Sequence, residues 1–325
     1  MTRILTGDRP TGALHLGHYF GTLANRVRLQ REGYELFVVV ADYQVITDRD
    51  HPGDLSATIT ELVRDYLAVG MHPDETVVFP HSAVPALNQL LLPFLSLVGL
   101  GELYRNPTVK EEIQRAGRSS VNGLMYTYPV HQAADILFCK GELVPVGKDQ
   151  LPHLELTRSI ARRFNERYAP VFPLPDPLLG EAPVLAGVDG RKMSKSLGNA
   201  IALRDDLDTI ATKIRGARTD SDREITYDPE HRPEVANLIT MAALASGRAP
   251  EDVAVDVGSS GAAALKAAVI DAVEGLLAPI RARRSAITDA EVRRVLKRGI
   301  GTATTIAEHT LDEVRTAMGM VVVGV

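Results

Sequence analysis

Short apolar runs and helical periodicities alternate along the first half of the chain, the order expected for a parallel α/β sheet. The apolar runs at residues 4–6, 36–41, 76–79 and 143–146 are predicted strands. Apolar positions recur at helical spacing between them, as at Leu16, Phe20, Leu23 and Val27. Further helices are predicted over residues 54–70, 85–103 with a kink at Pro93, 130–139 and 151–168. The predicted fold class is therefore α/β, with a Rossmann-type parallel sheet.

The pattern changes after residue 169. Prolines at 170, 173, 175, 177 and 183 predict an irregular connector. Strand signals end near residue 205, and helices are predicted over residues 206–215, 233–245, 262–284 and 289–318. We therefore expect a Rossmann-type catalytic domain over residues 1–200 and a C-terminal α-helical domain over residues 201–325.

Composition and charge exclude several classes of protein. The 325 residues are 45% hydrophobic and 24% charged, which is ordinary globular usage and not that of a disordered or collagen-like chain. The formal net charge of −5 argues against bulk nonspecific binding of nucleic acid, so DNA is not an expected partner. No apolar run approaches the ~20 residues needed to cross a bilayer, and no signal peptide is expected. The single cysteine, Cys139, favours a reducing, cytoplasmic location.

The first candidate motif is Pro-Thr-Gly-Ala-Leu-His-Leu-Gly-His at residues 10–18, here called the histidine motif. It joins the first predicted strand to the first helix, and His15 and His18 share a face near the helix N-terminus. Free N–H groups and the helix dipole favour an anion there. Gly17 leaves room for a flat base close to the backbone. A zinc site is not predicted, since no second Cys/His cluster supplies the remaining ligands.

The second candidate motif is Lys-Met-Ser-Lys-Ser at residues 192–196, here called the lysine loop. Two ammonium groups and two hydroxyls in a glycine-flanked loop suit a polyphosphate whose charge shifts during a reaction. Alone, either motif has an ordinary explanation as exposed surface. Together, in this order, they resemble the HIGH and KMSKS signatures of class I aminoacyl-tRNA synthetases.

A third stretch narrows the resemblance. Tyr-Pro-Val-His-Gln-Ala-Ala-Asp-Ile-Leu at residues 128–137 is similar to a helix of the bacterial tryptophanyl-tRNA synthetases, and residues 144–150 continue the similarity. The Asp135 carboxylate is an acceptor suited to the single indole N–H, and phenylalanine would leave it unpaired. The resemblance implies that Tyr128 and Gln150 hold the amino acid's ammonium group, with Gln132 beside them and Gln44 in the same pocket.

The resemblance also implies an ATP site, with ATP bound as its magnesium complex. Its residues come from both motifs and the connecting turns: Arg9, Pro10, Thr11, Gly17, His18, Gly147, Lys148, Asp149, Val184, Lys192, Met193, Ser194, Lys195 and Ser196. His15, His18, Lys192 and Lys195 are the expected catalytic residues. No protein-bound metal is expected.

Several positions depart from the common bacterial pattern of this family. Gln44, Gln132 and Lys148 replace residues of different chemistry, and Glu112 stands where a lysine is frequent. The set resembles an auxiliary branch that some bacteria carry beside or instead of the usual enzyme.

The most basic stretch lies in the last two predicted helices. Arg281, Arg284, Arg293 and Arg294 belong to it. A solvated helical surface would be enough to explain the positive charge of these helices. The family resemblance, however, implies a domain that contacts the anticodon of tRNA. A homodimer is implied in the same way.

The implied reaction joins L-tryptophan to tRNA-Trp through a tryptophanyl-adenylate. Three alternatives stay open at this point: a regulatory tryptophan-binding paralogue with weak charging activity, a tyrosine-specific class I synthetase, and a nucleotidyltransferase that does not act on tRNA.

Overall fold

A computed structural model describes residues 1–47, 51–116, 121–180 and 185–320. Five parallel strands form one sheet, in the order β3-β2-β1-β4-β5. The strands are β1 (Arg3–Asp8), β2 (Glu35–Val40), β3 (Thr76–Pro80), β4 (Leu143–Val146) and β5 (Asp176–Leu179). The α/β prediction is confirmed.

Fourteen α-helices occur in the described part of the chain. Those of the first half are α1 (Leu16–His18), α2 (Ala24–Arg31), α3 (Leu55–Ala68), α4 (Pro85–Gln89), α5 (Leu91–Leu95), α6 (Leu100–Arg105), α7 (Pro107–Ala116), α8 (Gly123–Leu137) and α9 (Leu151–Arg167). Those that follow are α10 (Leu207–Arg215), α11 (Pro233–Ser246), α12 (Pro250–Val257), α13 (Gly261–Ala286) and α14 (Asp289–Ala317). A π-helical turn, Tyr19–Leu23, joins α1 to α2.

The sheet forms because its central strands are apolar on both faces. Residues 36–40 of β2 are all buried between helices, as expected for a parallel sheet covered on two sides. β1 lies in the middle and pairs with β2 along its whole length, from Arg3 opposite Glu35 to Asp8 opposite Val40. On its other side β1 pairs with β4 at Ile4 opposite Leu143.

The strand order reverses between β1 and β4, and a crevice opens there. The chain leaves β1 to one side, towards β2 and β3, and returns to place β4 on the other side. Ligands of open α/β sheets bind at such a reversal, outside the carboxyl ends of the strands. The carboxyl ends of β1 and β4 are therefore where the site is to be sought.

Three features of the first 200 residues differ from the predictions. The proline-rich connector contains β5, which pairs with β4 at the edge of the sheet. Proline has no backbone N–H to donate, and an edge strand tolerates this loss. The helix predicted over residues 85–103, with one kink at Pro93, is instead three separate short helices, α4, α5 and α6. The segment between α6 and α8 contains α7, for which no helix was predicted.

The C-terminal helices pack directly on the sheet unit. The ideal Cβ position of Gly299, on α14, lies 2.0 Å from the carbonyl oxygen of Val78 on β3, so the two backbones are in contact. Both main apolar clusters contain residues from each side of residue 200. The division into domains at residue 200 remains a prediction.

None of the helices in the described ranges combines the length and apolarity that a bilayer crossing requires.

Candidate active site

A cavity of about 320 Å³ opens at the carboxyl ends of β1 and β4. Its floor is formed by these two strands, and α8 forms one wall. Polar side chains on its lining include Asp8, Arg9, Gln44, Glu112, Tyr128, Gln132, Asp135, Gln150 and His153. All five predicted tryptophan-binding residues are in this set, so the structure brings them together from three separate parts of the chain.

Helix α8 presents three of these residues on one face. Tyr128, Gln132 and Asp135 follow the four- and three-residue spacing of a helix stripe. Asn122 caps the helix by accepting a hydrogen bond from the N–H of Met125 at 2.9 Å. Asp135 is the deepest of the three, with 2% of its surface exposed. An acid group therefore lies at the bottom of a partly apolar cavity.

A hydrogen-bonded chain fixes the upper part of this wall. Oε1 of Gln132 lies 3.0 Å from Nδ1 of His153, and Nε2 of His153 lies 3.3 Å from the Tyr128 hydroxyl. Glu112 accepts a hydrogen bond from that hydroxyl; burial, followed by the negative charge of Glu112, raises the pKa of Tyr128. Burial lowers the pKa of His153 to about 4, so its ring is neutral at pH 7.

The tautomer of His153 follows from these contacts. Oε1 of Gln132 can only accept, so the neutral ring carries its proton on Nδ1 and donates it to that oxygen. Nε2 is then an acceptor facing the Tyr128 hydroxyl, whose one proton has both Nε2 and the Glu112 carboxylate as acceptors. Glu112 thus places a carboxylate on the cavity wall beside Tyr128.

Two buried histidines surround Asp135 on the side of β3. Nε2 of His81, the first residue after β3, lies 2.8 Å from Oδ1 of Asp135. His131 packs against His81 with ring centroids 4.5 Å apart. In the described part of the chain these three form the one group of side chains that could hold a metal, with ligand atoms within 4.8 Å of one another.

The separations within this group favour direct contact over a shared metal. Two ligands of a tetrahedral zinc, at 2.0–2.1 Å from the ion, are about 3.3 Å apart. The 2.8 Å between His81 and Asp135 is shorter than that and is a normal hydrogen-bond separation. We therefore treat His81 and Asp135 as a polar pair.

The histidine motif lies at the start of the helical segment that follows β1. The backbone N–H of His15 donates to Nδ1 of His18 at 3.2 Å, so neutral His18 carries its proton on Nε2. Burial, together with the nearby charge of Lys195, lowers the pKa of His15 to about 3 and that of His18 to about 4. Both rings are therefore neutral N–H donors at pH 7.

The lysine loop is held by one amide side chain. Asn199 accepts a hydrogen bond from the N–H of Ser194 at 2.8 Å and donates to the carbonyl of Lys192 at 3.1 Å. It also donates to Asp189 at 2.7 Å. This hydrogen bond, with those from Arg191, lowers the pKa of Asp189 to about 2. The loop therefore has a defined shape.

The structure brings the two motifs together. The ideal Cβ position of Gly12 lies 3.7 Å from Nζ of Lys195, and that of Gly17 lies 3.5 Å from Sδ of Met193. An isolated antiparallel bridge between His15 and Ala202 joins the histidine motif to the segment that follows the lysine loop. A larger residue at Gly17 would also come within 3.0 Å of the His15 ring, so glycine there permits the contact.

The other predicted ATP-site residues lie at the same end of the sheet. Gly147 directly follows β4 and lines the cavity, and Lys148 and Asp149 follow it in an exposed turn before α9. Thr108 donates a hydrogen bond to the carbonyl of Asp149 at 3.0 Å. Arg9 lines the cavity, and Pro10 and Thr11 follow it in the loop after β1. Val184 and the side chain of Ser196 lie outside the described residues.

A buried ion pair supports β1 beneath the motifs. Arg26, 1% exposed, contacts Asp8 at 2.5 Å and donates to the carbonyl of Gly7 at 3.1 Å. Tyr66 donates a second hydrogen bond to Asp8 at 2.6 Å. Burial alone would raise the pKa of Asp8, but Arg26 and Tyr66 hold it below its ordinary value. The sequence analysis did not identify this network.

The four arginines proposed for tRNA contact have different surroundings. Arg284 pairs with Asp65 at 2.6 Å and with Glu61, so its guanidinium joins α13 to α3. Arg281 pairs with Glu274 of its own helix. Arg293 and Arg294 are exposed on α14, and Arg294 approaches Asp74 at 3.5 Å.

Sequence reasoning did not assign His81, which contacts Asp135, or Glu112, which lines the cavity, to the amino acid. The sequence could have pointed to His81, because this residue directly follows an apolar strand and ligands bind at the carboxyl ends of strands in a parallel sheet. Glu112 had no such signal, because it lies on α7, a helix that the pattern did not predict.

Comparisons with known proteins agree with this geometry. A family model described as tRNA synthetases class I (W and Y) matches residues 1–278. The chain is 42% identical over 329 residues to a tryptophan–tRNA ligase of Treponema pallidum, covering 98% of this chain and 97% of the relative. It is 42% identical over 332 residues to that of Streptococcus pyogenes serotype M1, covering 98% of each.

Solved structures give the same result. The tryptophanyl-tRNA synthetase of Campylobacter jejuni, complexed with ADP and tryptophan, superposes with a TM-score of 0.85 at 28% identity and covers 98% of this chain and 100% of that one. The enzyme of Mycoplasma pneumoniae superposes with a TM-score of 0.84 at 30% identity, covering 98% of each chain.

Proposed function

The chain belongs to the class I tRNA synthetases of the tryptophan and tyrosine type, and from that membership we propose that it is a tryptophan–tRNA ligase. Full-length relatives at about 42% identity are tryptophan–tRNA ligases, which disfavours the tyrosine-specific, regulatory and nucleotidyltransferase alternatives. The observation that carries the proposal is the buried Asp135 at the bottom of a cavity at the carboxyl ends of β1 and β4.

Tryptophan occupies the cavity with its indole ring towards Asp135. The carboxylate accepts the indole N–H, the one polar group on that ring system. The ammonium group lies at the wall formed by Tyr128 and Gln150, where Gln132 and Gln44 complete the polar lining. Glu112 adds a negative charge beside Tyr128, which favours an ammonium group at that position.

ATP, as its magnesium complex, lies across the two motifs. Gly17 and the neutral rings of His15 and His18 face the nucleotide, and Lys192 and Lys195 contact the phosphates that leave. Arg9, Pro10, Thr11, Gly147, Lys148 and Asp149 surround it, with Met193, Ser194, Ser196 and Val184 completing the set proposed from the family resemblance. The contact of Lys195 with Gly12 supports one shared site.

The first step is an in-line displacement at phosphorus. A tryptophan carboxylate oxygen forms a bond to the α-phosphorus as the bond to pyrophosphate breaks, which gives tryptophanyl-adenylate. The carboxylate is already nucleophilic, so the protein chiefly orients the reactants and stabilises charge on the leaving group. In the second step a hydroxyl of the terminal adenosine of tRNA attacks the carbonyl carbon and releases AMP.

The helical region, residues 201–325, contacts the anticodon part of tRNA-Trp. Arg293 and Arg294 are the exposed cations best placed for the phosphate backbone. Arg281 is proposed as a further contact. Arg284 serves first to join α13 to α3 through Asp65 and Glu61. We propose a cytoplasmic homodimer, as the family resemblance implies.

The test measures both steps in three proteins: wild type, Asp135→Asn and Lys195→Ala. Asp135→Asn should raise the KM for tryptophan in ATP–pyrophosphate exchange by about 10- to 100-fold, because an amide is a weaker acceptor than a carboxylate. Lys195→Ala should slow adenylate formation by about 100-fold with little change in the Kd for tryptophan. Wild-type behaviour of both variants would refute the site, and tyrosine exchange as fast as tryptophan exchange would refute the specificity.

A further inference from the structure

Asp135 has one close polar neighbour in the described part of the chain on the side away from the cavity. Nε2 of His81 is 2.8 Å from its Oδ1, and the two side chains are 0% and 2% exposed. The angle between them is not that of a regular hydrogen bond, and neither atom makes one with any other described group. Their separation already allows a hydrogen bond, so a rotation of the ring is enough to align the pair.

The second histidine of the cluster is occupied elsewhere. Asn88 donates from its Nδ2 to the carbonyls of His81 at 2.8 Å and of Val84 at 3.0 Å, so its Oδ1 must be the acceptor towards His131. Burial lowers the pKa of His131, which is therefore neutral at pH 7, and its single proton lies on Nε2, 2.7 Å from that oxygen. His131 has no proton left for Asp135.

We propose that His81 is a positioning residue for tryptophan selection, which donates from Nε2 to Oδ1 of Asp135 and so leaves the other carboxylate oxygen for the indole N–H. This inference rests on the proposed function. A carboxylate can rotate about its last bond, and a donor on one oxygen fixes the direction of the second. A buried carboxylate also needs donors to offset its lost hydration.

The structure supplies the remaining constraints on His81. Its backbone carbonyl is held by Asn88, and its ring lies against that of His131. Tyr43 stacks over it with ring centroids 6.3 Å apart. Packing on two sides limits the ring to small rotations, so its nitrogen stays beside Asp135.

The experiment compares tryptophan with β-(3-benzothienyl)alanine, in which sulfur replaces the indole N–H, in ATP–pyrophosphate exchange. His81→Ala should raise the KM for tryptophan by about 10- to 100-fold and that for the analogue by less than threefold, with kcat little changed for either. His81→Gln, whose amide N–H reaches the place of Nε2, should restore the KM for tryptophan to within about threefold of wild type. The shorter His81→Asn should not.

His131→Leu is the matched control, because it removes the neighbouring ring and leaves the His81–Asp135 pair. It should change the two KM values by the same factor. If His81→Ala fails to fold, the glutamine and asparagine variants give the same comparison.

The proposal would be overturned if His81→Ala raised the KM for tryptophan and the KM for the analogue by the same factor. If the alanine variant does not fold, the same result in His81→Asn would overturn it. Failure of His81→Gln to restore the KM for tryptophan would also overturn it. Asp135→Asn, tested with the same two substrates, separates this failure from that of the proposed function. If Asp135→Asn also fails to distinguish them, the indole site is wrong; if it does distinguish them, only the role of His81 is wrong.

Discussion

The cavity and the groups around Asp135 combine one face of α8 with side chains from other elements. Tyr128, Gln132 and Asp135 were identifiable because helix periodicity places them on one face. His81 and Glu112 come from other elements and reach Asp135 and Tyr128 only through tertiary packing. Pattern reasoning therefore located the helix proposed to recognise the substrate but not the groups that contact its side chains.

Glu112 gives the prediction at this scale. Glu112→Gln removes the negative charge beside Tyr128 but keeps a hydrogen-bond acceptor. We expect the KM for tryptophan to rise by about tenfold while kcat changes by less than threefold, because ammonium binding is weakened in ground state and transition state alike. ATP–pyrophosphate exchange at varied tryptophan concentration measures both constants.

Glu111→Gln is the matched control on the same helix, since Glu111 is exposed. Its KM should stay within twofold of wild type. An unchanged KM in Glu112→Gln would show that the ammonium group lies elsewhere.

Whole elements were predicted where one periodicity dominates. β1 to β4 are apolar runs with clear ends, and α13 and α14 are long and uninterrupted, so each was located to within a few residues. β5 was missed because its signal, two leucines after Asp-Pro, is that of a turn, and only pairing with β4 makes it a strand. α4 to α6 show the reverse: the local pattern favoured one helix, and the structure has three short helices that pack on α8, with α4 also against α14.

Gly299 tests how α14 joins the sheet. In Gly299→Ala the new methyl group would overlap the carbonyl of Val78, which lies 2.0 Å from the Cβ position. Because two backbones must separate, we expect a loss of about 2–4 kcal/mol in the free energy of unfolding. Urea denaturation followed by circular dichroism measures it.

Gly301→Ala is the control on the same helix. Nothing in the described structure lies within 4 Å of its Cβ position, so the better helix propensity of alanine should stabilise the protein by up to about 1 kcal/mol. Equal effects of the two substitutions would contradict the close packing of α14 on β3.

The molecule as a whole combines buried neutral histidines with a buried ion pair. Burial lowers the pKa of His15 to about 3 and those of His18 and His153 to about 4. Asp8 is held ionised by Arg26. All four groups bind a proton less readily in the folded state than in the unfolded chain. Lowering the pH should therefore reduce the stability of the fold through the same groups that line the candidate site.

The resulting prediction concerns stability between pH 6.5 and about 4. In that window an unfolded histidine binds a proton and a buried one does not, so stability is complete above pH 6.5 and is lost as the pH falls towards the folded pKa. For His153, 1% exposed with a folded pKa of about 4, the loss is roughly 3 kcal/mol over the window.

Urea denaturation at pH 7, 6 and 5 measures this dependence. His153→Gln should reduce the slope near pH 5 by about 1.4 kcal/mol per pH unit. A free energy of unfolding that is the same at pH 7 and pH 5 would contradict the neutral, buried state of these rings.

The lysine loop is anchored to the body of the protein at both ends. Lys192, its first residue, is paired with Ala186. After the loop, Ala202 is paired with His15, with flanking hydrogen bonds from the N–H of Leu16 to the carbonyl of Ile201 and from the N–H of Leu203 to the carbonyl of Leu14. A segment fixed at two points can move only a short distance, because a large displacement would break these backbone hydrogen bonds at a cost of about 1 kcal/mol per bond. Over a bound triphosphate the loop therefore moves only a short distance by bending between its two fixed ends. The length of its two lysine side chains, and not a rotation of the whole segment, supplies the reach.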